Sequence, residues 1–260
     1  MPYSTLTLTH EGPIALVTFN RPDKRNAISY ELIDELLRAL AEVEQSDAQI
    51  LILTGAGKAF CSGMDLDNLK QITARTPADN LKDSQTMGLL FRSIYEFPRP
   101  TIAAVNGPAI AGGCGIATLC DFTLASTDAK FGYSEVRIGF LPAIVSTFLI
   151  RQIGEKHARD LLLTGRIISA DAAFSIGLVN EVIQAESLMT RARQLAAELM
   201  ENSPASLAAT KQLLTGFSFD ELNKNIKAAV DANARIRATS DFHEGVGSFL
   251  EKRKPNWTGR

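Results

Sequence analysis

Two stretches of this chain put glycines where backbone amides could meet a ligand. The first runs Ile50-Leu-Ile-Leu-Thr-Gly-Ala-Gly-Lys-Ala-Phe-Cys-Ser-Gly-Met-Asp65, the second Thr101-Ile-Ala-Ala-Val-Asn-Gly-Pro-Ala-Ile-Ala-Gly-Gly-Cys114. Each reads as a buried strand, then a glycine-bearing turn, then a helix. Glycine has no Cβ to hold a ligand away from the main chain. A helix start adds unpaired N–H donors and the positive end of a dipole. Taken singly, either loop reads as a plain turn. Side by side on neighbouring strands, they could aim two amides at one developing oxyanion. That is the electrostatic catalysis acyl chemistry uses, worth about 3 kcal/mol per donor.

Other chemistries fit less well. Neither loop is GxGxxG between strand and helix with an acid about 20 residues on, so a dinucleotide fingerprint is missing. GxxxxGK[ST] is also absent, so a phosphate-gripping loop is not supported. No serine, histidine and acid share a nucleophile-elbow context. The cysteines, Cys61, Cys114 and Cys120, form no CxxC pair and have no His-rich neighbourhood, so no metal site is expected. They read as reduced, packed thiols, Cys114 included. Asp65 reads as the cap of the next helix and Asp121 as the anchor of a turn. His10, His157 and His243 fall in a hairpin, a helix start and the tail. A formal net charge of −2 gives no reason to expect nucleic acid or an anionic membrane as partner. Lys252-Arg253-Lys254 reads as a solvated tail cluster. No secretory signal and no run of about 18 apolar residues is visible, which gives the expectation of a soluble cytoplasmic protein.

The elements that must position these loops follow an α/β order. Leu6–Thr9 and Ile14–Phe19 read as a hairpin. Ser29 caps a helix through Glu44 whose stripe is Leu32, Ile33, Leu36, Leu37, Leu40 and Val43. Ile50–Thr54, Thr101–Val105, Phe122–Ser126 and Leu178–Val182 read as strands, with helices at Asn80–Phe97 and Gly112–Cys120. Strand, helix, strand in that order favours a parallel sheet. Leu69–Ala78 is polar and irregular, and the expectation is a mobile surface loop. Beyond Ala185 the chain reads as helices: Ala185–Glu201, Pro204–Thr215, Phe219–Ala238 and Asp241–Lys252. A break near Asn202-Ser-Pro separates an α/β core from a helical tail.

A set of motifs in one order carries a resemblance. They are Asn20-Arg-Pro-Asp-Lys-Arg-Asn-Ala27, Leu53-Thr-Gly with Lys58-Ala-Phe-Cys-Ser-Gly-Met-Asp65, and Pro100-Thr-Ile-Ala-Ala-Val-Asn-Gly107 through Cys120-Asp121. Phe131-Gly-Tyr-Ser-Glu-Val-Arg-Ile-Gly139, Leu163-Thr-Gly-Arg-Ile-Ile-Ser-Ala170 and Gly177-Leu-Val-Asn180 complete it. Across residues 10–185 the chain resembles the crotonase, or enoyl-CoA hydratase/isomerase, superfamily. The resemblance implies a ββα spiral core over residues 1–195 that binds acyl-CoA and does the chemistry. It implies a helical trimerisation region over 196–260, and homotrimers or homohexamers built as paired trimers. Coenzyme A would arrive as part of the substrate, with no permanently bound cofactor. At the matching positions the Met64 and Gly112 N–H groups would form the oxyanion hole, with the helix starting near Gly113 pointing its positive end at the same oxygen.

The acids set the reaction. Related hydratases use two glutamates, and the first of those positions is Gly115 here. The second matches Glu135. On residue type alone Glu135 reads as a surface carboxylate or a partner for Arg137; the resemblance implies a proton-transfer residue whose pKa rises in an apolar pocket. Arg137 either meets a distal carboxylate on the acyl chain or, the stronger reading, holds Glu135 or another acid. The resemblance also implies that Arg21, Lys24 and Arg25 contact the nucleotide end, that Ala27 adjoins the pantetheine arm, and that Phe249 and Lys252 reach a neighbouring subunit's site; on residue type the cations read equally as solvated, and Phe249 reads rather as trimer packing. The leading reading is reversible hydration of a 2-enoyl-CoA. The alternatives are an isomerase with Glu135 as single proton shuttle and an inactive scaffold that binds CoA or RNA.

Overall fold

The computed structural model describes residues 2–260. Its main sheet contains β1 (Leu6–Glu11), β2 (Ile14–Phe19), β3 (Ile50–Gly55) and β4 (Thr101–Val105). After the short β5 (Ala109–Ile110) come β6 (Phe122–Ser126), β7 (Lys130–Gly132), β8 (Ile168–Ser169) and β9 (Glu181–Ile183). The large sheet runs β1-β2-β3-β4-β6-β9, antiparallel at the β1–β2 hairpin and parallel elsewhere. A small sheet, β5-β7-β8, stands apart from it.

Helices cover both faces, as a parallel sheet requires. They are α1 (Tyr30–Gln45), α2 (Leu66–Ile72), α3 (Pro77–Tyr95), α4 (Gly112–Thr118), α5 (Ala143–Thr164), α6 (Ala170–Ser175), α7 (Leu188–Met200), α8 (Pro204–Gly216), α9 (Phe219–Ile236) and α10 (Ser240–Leu250). The two-residue period of β3 divides its side chains. Leu51 and Leu53 join the large cluster that holds Leu32, Leu36 and Phe91. Ile50 and Ile52 pack on the opposite side with Leu188, Ala192 and Ala196 of α7. Ser29 caps α1 through the Leu32 amide, and the expected stripe is buried apart from the half-buried Leu37.

Several expectations change. Leu69–Ala78 is not an irregular loop. Asp65 caps α2 there, and Leu69 and Ile72 are buried against Phe242 and Val246 of α10. Thr76 caps α3, which begins at Pro77 rather than Asn80. The buried face of α3 carries Asn80, Asp83 and Ser84, so no apolar stripe marked its first turns. The last strand of the sheet is Glu181–Ile183 rather than Leu178–Val182, because Leu178 and Val179 pack into the core before pairing begins. Residue 195 falls inside α7, and Leu222, Ala229 and Val230 of α9 lie in the same buried cluster as the sheet. Among the described residues no helix is long and apolar enough to cross a membrane.

Candidate active site

The two glycine loops meet after they leave the sheet. Cys61 pairs with Ala109 in parallel register, with the Cys61 amide donating to Pro108 O and Ile110 N–H to Cys61 O. Three residues further along each strand stand Met64 and Gly112. The bridge therefore brings the two loops that carry these amides next to one another. Gly63 lies so near Ala111 that a Cβ on Gly63 would meet Ala111 Cβ at 3.1 Å. Gly113 is needed for this approach, since a Cβ there would run into the Cys61 carbonyl oxygen.

Both amides are free. Met64 pairs with Ile28 through the neighbouring groups, Ile28 N–H to Gly63 O at 2.7 Å and Asp65 N–H to Ile28 O at 2.9 Å. Among the described residues neither the Met64 nor the Gly112 N–H has a backbone partner. Gly112 is the first residue of α4, so its amide is one of the helix-start donors. Ala111 before it holds φ 52°, ψ −126°, a left-handed backbone that no glycine relieves.

Arg21 and Asp65 brace this loop. The Arg21 guanidinium donates to Ala27 O at 2.6 Å and to Asp65 Oδ2 at 2.7 Å. Burial pushes the Asp65 carboxyl up, but the Asp67 amide and the Arg21 guanidinium outweigh that and hold it low. Asn26, also buried, accepts from the Arg21 amide and donates to Ala56 O and Ala59 O. Arg21 thus holds the Met64 loop, and it is not among the side chains facing the cleft.

The cleft itself has a volume of about 940 Å³, large enough for a sizeable ligand. Met64, Gly112 and Glu135 all line it. Glu135 opens a 3-10 turn, Glu135–Ile138, and is only 8% exposed. Its Oε2 has no hydrogen-bond partner, and burial raises its pKa from 4.5 to about 7. It is neither a surface carboxylate nor held by Arg137, which is exposed, forms no ion pair among the described residues and lines the cleft. Gly115 does not face the cleft. A Cβ there would meet Val145 Cγ1 at 2.7 Å and Phe91 Cζ at 3.1 Å, so these two apolar side chains fill the corner. Sequence reasoning missed both, since nothing local marks residues 91 and 145 as neighbours of 115.

Lys24, Arg25, Ala27, Lys252 and Arg253 also line the cleft. Lys24 lies 3.5 Å from Asp67 in an exposed pair, and Arg253 is spent on Glu244 and Glu251. Phe249 and Lys252 line this chain's own cleft, because α10 folds back over α2. Burial pushes the Cys61, Cys114 and Cys120 thiols up to about 12, far from nucleophile range. The arrangement offers two free amides on neighbouring loops, one buried carboxyl with its pKa raised to about 7, and exposed cations along the same cleft.

Known proteins match along the whole chain. The sequence model of the enoyl-CoA hydratase/isomerase family matches residues 9–260. A Thermus thermophilus relative, provisionally named an enoyl-CoA hydratase, is 42% identical over 248 residues, 95% of this chain and 98% of that protein. The crotonyl-CoA hydratase of Syntrophomonas wolfei is 34% identical and covered, like this chain, over 100% of its length. A crystal structure of an enoyl-CoA hydratase/isomerase from Xanthobacter autotrophicus Py2 superposes with a TM-score of 0.90 at 28% identity, covering 96% of this chain and 94% of that one.

Proposed function

This chain belongs to the enoyl-CoA hydratase/isomerase family, and on that footing we propose that it adds water reversibly across the double bond of a 2-enoyl-CoA thioester. The observation that carries the reading is that the Met64 and Gly112 amides, both without a backbone partner and on neighbouring loops, line one cleft with the buried Glu135. The thioester oxygen accepts from both N–H groups, which draws electron density from Cβ. Glu135 takes a proton from water as the oxygen attacks Cβ. The enolate that forms is held by the same two amides. Glu135, now protonated, returns the proton to Cα, so hydroxyl and hydrogen are both delivered and the carboxylate is regenerated. A carboxyl with a pKa of about 7 suits both steps at neutral pH.

Lys24, Arg25 and Lys252 are the cations this reading gives to the CoA phosphates, with Ala27 beside the pantetheine arm and Arg137 and Phe249 on the cleft wall. Coenzyme A then comes and goes with the substrate. The helical tail exposes Leu213, Leu214, Phe217 and Phe219, which supports packing against further copies as a homotrimer or a pair of trimers. A cytoplasmic enzyme is the setting this reading assumes.

A second reading, double-bond isomerisation, draws on one observation: Phe91 and Val145 fill the corner where a second carboxylate would stand. The test is direct. With crotonyl-CoA, hydration removes the conjugated enoyl absorbance; with 3-hexenoyl-CoA, isomerisation creates it. We expect loss in the first. A rise in the second with no loss in the first would replace hydration by isomerisation, and inactivity in both would leave only a CoA-binding scaffold.

A further inference from the structure

Glu135 has no hydrogen bond to aim its Oε2, so the backbone that carries the carboxyl must place it. That backbone is the 3-10 turn Glu135–Ile138, closed by the Phe140 N–H on Glu135 O at 2.9 Å and the Gly139 N–H on Val136 O at 3.3 Å. Two glycines let α10 press against this turn. A Cβ on Gly245 would run into the carbonyl carbon and oxygen of Ile138 and meet Gly139 N at 2.8 Å. In return, a Cβ on Gly139 would run into the Asp241 carbonyl oxygen and meet Phe242 Cα at 3.0 Å. Every atom met is main chain, so no side-chain rotation makes room. Gly139 also holds φ 68°, which favours glycine by itself. Gly245 lies inside a helix, where alanine is the better residue, and close approach is what a glycine provides there.

The same helix meets the element that follows the Met64 amide. Phe242 and Val246 pack on Leu69 and Ile72 of α2, and Met64, Ile138 and Phe140 border that cluster. The Phe242 and Phe140 rings stand 5.4 Å apart. Phe242, Gly245 and Val246 follow helical three-and-four spacing, so one side of α10 carries all three. Residues 253–260 clamp the first turns of α10. The Thr258 and Gly259 amides donate to the Asp241 carboxylate at 2.7 and 3.0 Å, and the Asn256 amide donates to Glu244 Oε1 at 2.7 Å. The helix thus touches both the Glu135 turn and α2, and it cannot shift without breaking these bonds.

We infer that Gly245 is a positioning residue for the proton transfer: its missing side chain lets α10 seat the Glu135 turn against the helix that follows Met64, and so sets the reach of the carboxyl. The inference rests on the hydration reading of the cleft and adds to it the element that holds its acid. Gly245 is buried and is not on the cleft wall, so it acts through Ile138 and Gly139 rather than on the substrate. Gly247, two residues on, is the matched control. Beyond its own stretch of helix, a Cβ there would have nothing nearer than Arg253 Nη2 at 4.0 Å.

The test compares Gly245→Ala and Gly247→Ala with the wild type, using crotonyl-CoA across a range of pH. Gly245→Ala should lower kcat about tenfold to a hundredfold and leave KM within about twofold, as expected of a displaced catalytic group beside an intact binding site. The displaced carboxyl gains water, so its pKa should drop by about one unit or more from about 7. Cys114 and Tyr133, the titratable side chains close enough to feel its charge, are buried and neutral in this range, so the shift reads burial. Gly247→Ala should leave kcat and the pKa unchanged. If Gly245→Ala does not fold, Phe242→Leu loosens the same helix without adding atoms, and should lower kcat about threefold or more and move the pKa the same way. Wild-type values in the variant used, or equal losses in Gly245→Ala and Gly247→Ala, overturn the inference. The pKa is followed by the infrared band of the protonated carboxyl, assigned by its loss in Glu135→Gln, which needs no turnover. A shift there in a protein that hydrates no enoyl ester would sink the hydration reading and leave the positioning of Glu135 standing.

Discussion

Replacing Glu135 by Gln should stop turnover and, above neutral pH, make the protein harder to unfold. Burial lifts the carboxyl from 4.5 to about 7, and Oε2 has no partner to offset the lost water. The folded chain therefore holds a proton that the unfolded chain releases between those two values. For an acid shifted upward, stability falls as pH rises through that window and levels off above about 7. At 1.36 kcal/mol per pKa unit, the native state loses about 3 kcal/mol at pH 8 and about 1 kcal/mol or less at pH 5. Glutamine cannot ionise, so the variant escapes this cost, up to about 3 kcal/mol at pH 8, or several degrees of melting temperature for a domain of this size. Scanning calorimetry of both proteins at pH 5 and pH 8, at one protein concentration and ionic strength, reads the difference. Hydration of crotonyl-CoA by the wild type should rise with pH through about 7 as the base form appears, and kcat of the variant should fall by about a hundredfold or more. An equal stability difference at both pH values would refute the buried, ionising carboxyl. Full activity in the variant would refute its role with protons.

Two glycines give further expectations. Gly113→Ala places a methyl group against the Cys61 carbonyl, a backbone atom that can move only by parting the loops. We expect kcat to fall about a hundredfold at saturating crotonyl-CoA, the effect of losing an oxyanion donor; unchanged kcat would show that the shared register is not needed. Gly115→Glu meets Val145 and Phe91 at 2.7 and 3.1 Å. It should destabilise by about 1–3 kcal/mol through overpacking and add no hydration activity. A gain in rate with an intact melting temperature would mean that the corner opens.

How far the sequence could be read depended on how far each signal had to reach. The α1 stripe and the ILIL run of β3 are periodic within one element, and both appear where their spacing places them. The loops at 61–64 and 109–112 were legible only in part: glycines mark where the chain must pass close to itself, but the register shifts between the β3–β4 ladder, where Thr54 meets Ala104, and the bridge beyond it, where Cys61 meets Ala109. The segment holding α2 failed that test. Leu66, Leu69 and Ile72 sit at helical spacing among charges, but two of them find their buried apolar partners in α10, at the far end of the chain.

Charged residues show the same dependence more sharply. Arg21 and Lys24 are both basic residues on one surface turn, and sequence alone gives them one role. The fold separates them because Asp65, fixed as the cap of α2, reaches Arg21, while Lys24 has only an exposed partner. Glu135 and Arg237 are both buried, yet Arg237 has Asp83 and Asn233 against its guanidinium while Glu135 Oε2 has nothing. A buried acid without a partner shifts toward neutrality and can exchange protons. A buried guanidinium held between a carboxylate and an amide instead ties α9 to α3. The difference between them therefore follows from which groups the tertiary fold brings to each side chain.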